Sequence, residues 1–112
     1  MNAYYAPGIV KEEAIMQAVA GVFGLSVNDL YSTRRKKDLM TAKRITWLLF
    51  GKTLKYNRVI IAAKFKRPYE TIRTGQRRIA ELALMYDDIR IRLYTVCRLI
   101  GVSEETVNGY LK

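Results

Sequence analysis

The sequence has no histidine, one cysteine and two prolines, and no apolar run approaches the roughly 18 residues that a membrane span needs. Without histidine no Ser/His/Asp or Cys/His set can be assembled, and with a single cysteine besides, none of the usual zinc constellations can either. The lone thiol, Cys97, closes no intrachain disulfide, and its apolar neighbours Val96 and Leu99 point to a core position rather than a nucleophile. Asp87 and Asp88 are adjacent and cannot face each other across a substrate. "FGKT", Phe50 to Thr53, resembles the end of a phosphate-binding loop, but that loop needs a glycine where Thr46 stands and a strand before it. No enzyme, cofactor, metal or membrane partner is therefore expected. Met1 to Gly8 is neither basic nor apolar enough for a signal peptide, so a cytoplasmic protein is expected.

Acids are scarce where bases are dense. Between Ser32 and Arg78 stand fifteen Lys or Arg and only two acids, Asp38 and Glu70, whereas the two ends together carry five bases and eight acids. Bases kept merely for solubility would be interspersed with acids along the chain. Concentrated in one stretch, they match the footprint of a polyanion-binding surface, where each neutralised phosphate releases a counterion.

The chain has 112 residues, half of them apolar, which suits one compact domain. After a leader punctuated by Pro7 and Gly8, the spacing predicts a helix over Val10 to Phe23, with Val10, Ala14, Ile15, Ala18, Val22 and Phe23 on one stripe. Gly24 suits its end and Ser26 the cap of a short turn reaching Leu30 and Tyr31. "STRRKK" reads as a basic loop. From Asp38 to about Leu54, Leu39, Ala42, Ile45, Leu48 and Leu49 recur at three- and four-residue steps, predicting the long central helix. Asn57 can cap a short helix that stops near Lys66 and Arg67. Pro68 then suits the first position of another helix, whose inward stripe is Ile72, Gly75, Gln76, Ile79 and Leu82. Two helices joined by a tight turn, the second one basic, make a helix-turn-helix. Asp87 to Ile100 reads as a further helix and Ser103 as the cap of a last, acidic one; this tail is expected to pack or to dimerise rather than to read DNA.

Two clusters carry the binding chemistry. Arg34, Arg35, Lys36 and Lys37 lie in the loop, with Lys43 and Arg44 following on what reads as the exposed side of the long helix. A loop arginine can enter a minor groove while helix-borne bases hold phosphates. In the second cluster Tyr69, Glu70, Thr71, Arg73, Thr74 and Arg77 are offered by a helix to a major groove, where arginine pairs with guanine and glutamate accepts from cytosine. Taken singly, each cluster reads as a solvated charge run or an amphipathic surface helix. Their joint placement on one charge-biased stretch favours double-stranded DNA. The rivals are a scaffold protein whose basic face docks an acidic partner, and an RNA-binding module in which Tyr69 stacks on an unpaired base.

From about Glu13 to Glu81 the sequence resembles the C-terminal DNA-binding domain of the bacterial replication initiator DnaA. "AIMQAVAGVFGLSVNDLYSTRRKKDLMTAKRITWLL" is similar to that family's opening helix, its "FGIS-x-x-DL" turn, basic loop and long helix, and "FKRPYETIRTGQRRI" falls where the family carries "FGGRDHTTV" and the recognition helix. The resemblance implies that Arg35 enters the minor groove and that Lys43 and Arg44 stand at phosphate-contact positions. It further implies that Arg67 matches the arginine before the signature's Asp-His pair, that Thr71 faces DNA and that Ile72 faces the core. Pro68 and Tyr69 stand where the family has the Asp and His that read bases, Glu70 replaces a threonine, and the turn is one residue shorter. The docking scaffold, not the base preference, is thus what the resemblance carries over.

The reading is an all-α domain: a leader at 1–9, a DnaA C-terminal-like helix-turn-helix domain at 10–82, and a helical extension at 83–112 that packs or meets a second copy or another protein. Lys36, Lys37, Lys43, Arg44 and Lys52 are expected on phosphates, and Arg35, Arg67, Tyr69, Glu70, Thr71, Arg73 and Thr74 near bases, with Arg34 and Arg77 beside them. The chain is too short to hold the family's ATPase domain as well, so a stand-alone, nucleoid-associated DnaA-like protein in replication control or transcription is expected.

Overall fold

The computed structural model describes residues 10–112, and the leader at 1–9 lies outside the described residues. Their order is α1 (Glu12–Phe23), α2 (Val27–Tyr31), α3 (Lys37–Lys52), α4 (Arg58–Phe65), α5 (Tyr69–Met85), α6 (Asp87–Leu99) and α7 (Glu104–Tyr110), with no strand among the described residues. Local chemistry sets most of the breaks. Gly24 ends α1 in the left-handed conformation at φ 66°, which a residue without a Cβ adopts freely. Ser26 and Asp29 form a reciprocal capping box at the start of α2. The side chains of Asn57 and Ser103 accept from the backbone N–H groups of Ile60 and Thr106, capping α4 and α7.

Helix α3 runs through the middle of the molecule, packed by α1, α2, α4 and α5. It buries Leu39, Ala42, Ile45, Trp47, Leu48, Leu49 and Phe50, a wider arc than one stripe, because neighbours surround it. Its crossing with α5 is close. A Cβ on Gly75 would stand 2.7 Å from two ring carbons of Trp47, so α5 can approach the indole only through a glycine. On α3, a Cβ on Gly51 would meet the Gln76 amide nitrogen at 2.8 Å. Gln76 itself donates to the Trp47 carbonyl at 2.8 Å and accepts from Arg58 Nε at 2.8 Å, so one buried side chain joins α3, α4 and α5.

Several boundaries depart from the sequence reading: α1 begins at Glu12 rather than Val10, and α3 spans Lys37–Lys52 rather than reaching Leu54. Pro68 is the N-cap of α5, with an extended ψ of 149°, and the helix begins one residue later at Tyr69. Helix α5 also continues unbroken past residue 82 to Met85, and Tyr86 alone separates it from α6. Leu93, Val96 and Cys97 of α6 and Val107 of α7 are fully buried in the same core as Ile15, Trp47 and Ile72. The tail therefore packs against α1 and α5. Its thiol belongs to that core, where burial pushes the pKa of Cys97 up to about 12, far from nucleophilic reactivity.

Candidate nucleic-acid interface

Helices α4 and α5 and the turn between them form the helix-turn-helix. Lys66 ends α4 at φ 53°, a left-handed conformation held by its N–H to the Ala63 carbonyl and by the Arg67 N–H to the Ala62 carbonyl. Pro68 then fixes the entry into α5, which turns Ile72, Gly75, Gln76 and Ile79 inward. Its other faces expose Tyr69, Glu70, Thr71, Thr74, Arg77 and Arg78, while Arg73 is half-buried. Glu70 and Arg73 form a bidentate pair, the carboxylate accepting from Nε at 2.9 Å and from Nη2 at 2.7 Å. That contact, with Arg77 and Arg58 nearby, holds the Glu70 carboxyl below its ordinary range. Acceptor and donor groups are thereby offered side by side on the first turns of the helix.

The basic loop between α2 and α3 lies beside this turn because of one carbonyl. Ser32 O accepts from Lys43 Nζ of α3 at 2.5 Å and from Arg67 Nη2 of the turn at 2.5 Å. Lys43 also donates to the Arg34 carbonyl at 2.6 Å, and Tyr31 stacks on Phe65 with ring centroids 5.0 Å apart. Loop, long helix and turn are thus tied at a single point, and Arg35, Lys36 and Lys37 stand exposed beside it.

A family model described as bacterial dnaA protein helix-turn-helix matches residues 12–79 of this chain. The chain belongs to that family. Over 89 residues, 80% of this chain, it is 30% identical to the chromosomal replication initiator protein DnaA 2 of Chlamydia pneumoniae, and the chain spans about a fifth of that protein's length. As a DNA-binding DnaA-type helix-turn-helix it is a binding domain and not an enzyme. Among the described residues no group of His, Cys, Asp and Glu could hold a metal ion, and no helix is long and apolar enough to cross a membrane.

Within this DnaA-type domain the structure groups the residues singled out from sequence more narrowly than their spacing implied. Lys43 requires correction: expected on the exposed side of α3, it is 2% exposed, its ammonium enclosed by the Ser32 and Arg34 carbonyls. Burial, followed by the nearby charges of Arg67, Arg34 and Arg35, lowers its pKa, as a desolvated cation among cations requires. Arg67 is likewise half-buried, with its guanidinium on the carbonyls of Ser32, Phe65 and Lys66. Arg34 is exposed but pairs with Asp29. Lys37 is the first residue of α3 rather than part of the loop, and Lys52 is its last, on the order of 22 Å away at 1.5 Å per residue, so Lys52 is not brought to the loop.

Arg78 was missed. Its charge, together with that of Arg35, helps lower the pKa of Arg44, although burial is the larger cause. Arg44 Nε is shielded from solvent with no hydrogen-bond partner, and none of Arg35, Arg44 and Arg78 is in an ion pair among the described residues. The i, i+4 spacing from Thr74 to Arg78 was a signal that could have found it; the approach of α3 could not be read from the sequence.

Proposed function

We propose that this domain binds duplex DNA by presenting the first turns of α5 to a major groove and the basic loop to the adjacent minor groove. The observation that supports it most is the Ser32 carbonyl shared by Lys43 and Arg67, because it makes the loop and the helix-turn-helix one surface. A loop fixed beside the turn can enter one groove while α5 enters the next. In this reading Arg35 reaches the minor groove, and Lys36, Lys37, Arg44 and Arg78 hold phosphates. Tyr69, Glu70, Thr71, Arg73, Thr74 and Arg77 face base edges, with the Glu70 and Arg73 pair reading as a unit. Lys43 and Arg67 position the loop. A role in replication control or in transcription follows from the resemblance to an initiator.

Selection of bound duplexes from a random library at near-physiological salt tests this, since low salt inflates non-specific binding. Enrichment of one motif is the expected result. Binding without enrichment would reduce α5 to a phosphate-holding helix, and no binding would overturn the reading.

A further inference from the structure

A groove of about 640 Å³ runs along α5, on the side away from the basic loop. Its floor is formed by buried and half-buried lining residues, Leu48, Gly51, Ala80 and Leu111, beside Gln76. Gly51 and Ala80 add little side chain there, and a Cβ at 51 would meet the Gln76 amide nitrogen at 2.8 Å, so it would push on the side chain that bonds Trp47. Gln76 also lines the groove, with one amide N–H given to the Trp47 carbonyl and its oxygen accepting from Arg58. Leu48, Ala80 and Leu111 offer a ligand apolar contact beside it.

The rim differs from the floor. The side chains of three cations, Lys52, Arg58 and Arg77, line the groove against one acid, Glu81, and none of these four is in an ion pair among the described residues. At its edges Tyr69 and Leu84 are 45% and 59% exposed. A strip of apolar surface bordered by cations is complementary to a chain that carries acids on its flanks and a large apolar side chain between them. Single-stranded nucleic acid would need several free ring faces in series, and of the three tyrosines here only Tyr69 is exposed. Tyr56 is packed edge-on against Phe50 and lies under Lys64, and the Tyr110 hydroxyl is bonded to Thr53 at 3.0 Å.

We propose that this groove docks an acidic protein segment anchored by an apolar side chain, and that the docked segment excludes duplex DNA. Exclusion follows because Tyr69 and Arg77 belong both to the groove and to the surface assigned to the major groove, so this part of the proposal rests on the DNA reading. Docking does not. A bound acidic chain would also place negative charge beside the phosphates, adding repulsion to steric overlap.

Two short synthetic peptides test it by fluorescence anisotropy, one of glutamates with two leucines between them and one with serine in place of each leucine. Both feel the same net attraction to a basic protein, so their ratio isolates the floor. The leucine peptide is expected to bind at least about tenfold tighter, the effect of one large apolar side chain leaving water. Ala80→Glu, which puts a carboxylate on the floor, should abolish that preference. Leu84→Ser, at an exposed position outside the core, should reduce it with unchanged thermal stability. Equal binding of the two peptides, or a preference unmoved by both substitutions, would overturn docking. With the leucine peptide saturating, wild-type affinity for duplex should fall at least fivefold, and that of Ala80→Glu should not. A peptide that binds without moving duplex affinity would uphold docking and overturn exclusion. A wild type that binds no duplex at all would instead overturn the DNA reading while the peptide arms still decide the groove.

Discussion

Replacing Lys43 with methionine separates a positioning cation from a phosphate ligand. Methionine preserves much of the stem's packing and removes the ammonium, leaving the Arg34 carbonyl without its bond and Ser32 O with Arg67 alone. Hydrogen bonds to a charged group contribute about 1.5 to 3 kcal/mol each. Against that stands the relief of a cation buried near Arg67, Arg34 and Arg35, whose charges lower its pKa together with burial. The net loss expected is about 1 to 3 kcal/mol, or a melting temperature lower by about 5 to 15 °C for a domain of this size. Discrimination between selected and random duplex should fall with it, because the loop loses its anchor. The dependence of log affinity on log salt should change by less than one unit, since no phosphate contact has been removed. Thermal melts and a salt titration of the same variant decide the matter. An unchanged melting temperature with a salt slope flatter by about one unit would return Lys43 to the phosphate list and refute its role as an anchor.

Other substitutions reach different parts of the same argument. Arg35→Ala and Arg73→Ala should each weaken binding to the selected duplex by about 1 to 3 kcal/mol while sparing random duplex, and an unmoved ratio between the two would remove either residue from base reading. Gly75→Ala should lower stability to urea, because overpacking against Trp47 costs about 1 to 3 kcal/mol while replacing a helical glycine returns about 1 at most; a stabilised variant would show that α3 and α5 are not held that close. Burial raises the Glu12 pKa, but hydrogen bonds from Tyr56 and Lys64 outweigh it and hold the carboxyl below its ordinary 4.5. A depressed carboxyl pKa stabilises above the unfolded value and loses that contribution as pH falls through the folded one. Wild type should therefore exceed Glu12→Gln in melting temperature at neutral pH and lose that margin progressively as pH falls below the ordinary 4.5, and a margin independent of pH would count against the tie between α1 and α4.

Elements set by neighbouring residues were legible in the sequence. Ser26, Asn57 and Ser103 cap within three residues, and the inward set Ile72, Gly75, Gln76 and Ile79 follows the helical period. Features made by chain returning from a distance were not. Lys43 sits next to Arg44 in a basic run and reads as solvated; its burial depends on the carbonyl of Ser32, eleven residues back, folding over it. Gly75 fits the inward stripe, yet the Trp47 ring that demands it lies on another helix. A boundary at residue 82 has no glycine or proline near it, and Leu82, Ala83, Leu84 and Met85 favour continuing the helix, as α5 does.

Glu70 is the remaining tension: an acid at the start of a helix that is to approach a polyanion, where a threonine or a base would attract phosphate better. Its bidentate contact with Arg73 resolves part of this, since the pair is neutral as a unit and adds little to non-specific attraction. The cations assigned to phosphates lie elsewhere, in Lys36, Lys37, Arg44 and Arg78, none of them in an ion pair among the described residues. In the proposed binding mode, affinity for any duplex would rest on these cations, while the first turns of α5 would favour a base pair that can meet both a carboxylate and a guanidinium. On wrong sequences the pair must be desolvated without compensation, which is a cost against them rather than a gain for the right one. In that mode Glu70 would trade affinity for discrimination, with the basic loop held beside it by the Ser32 carbonyl.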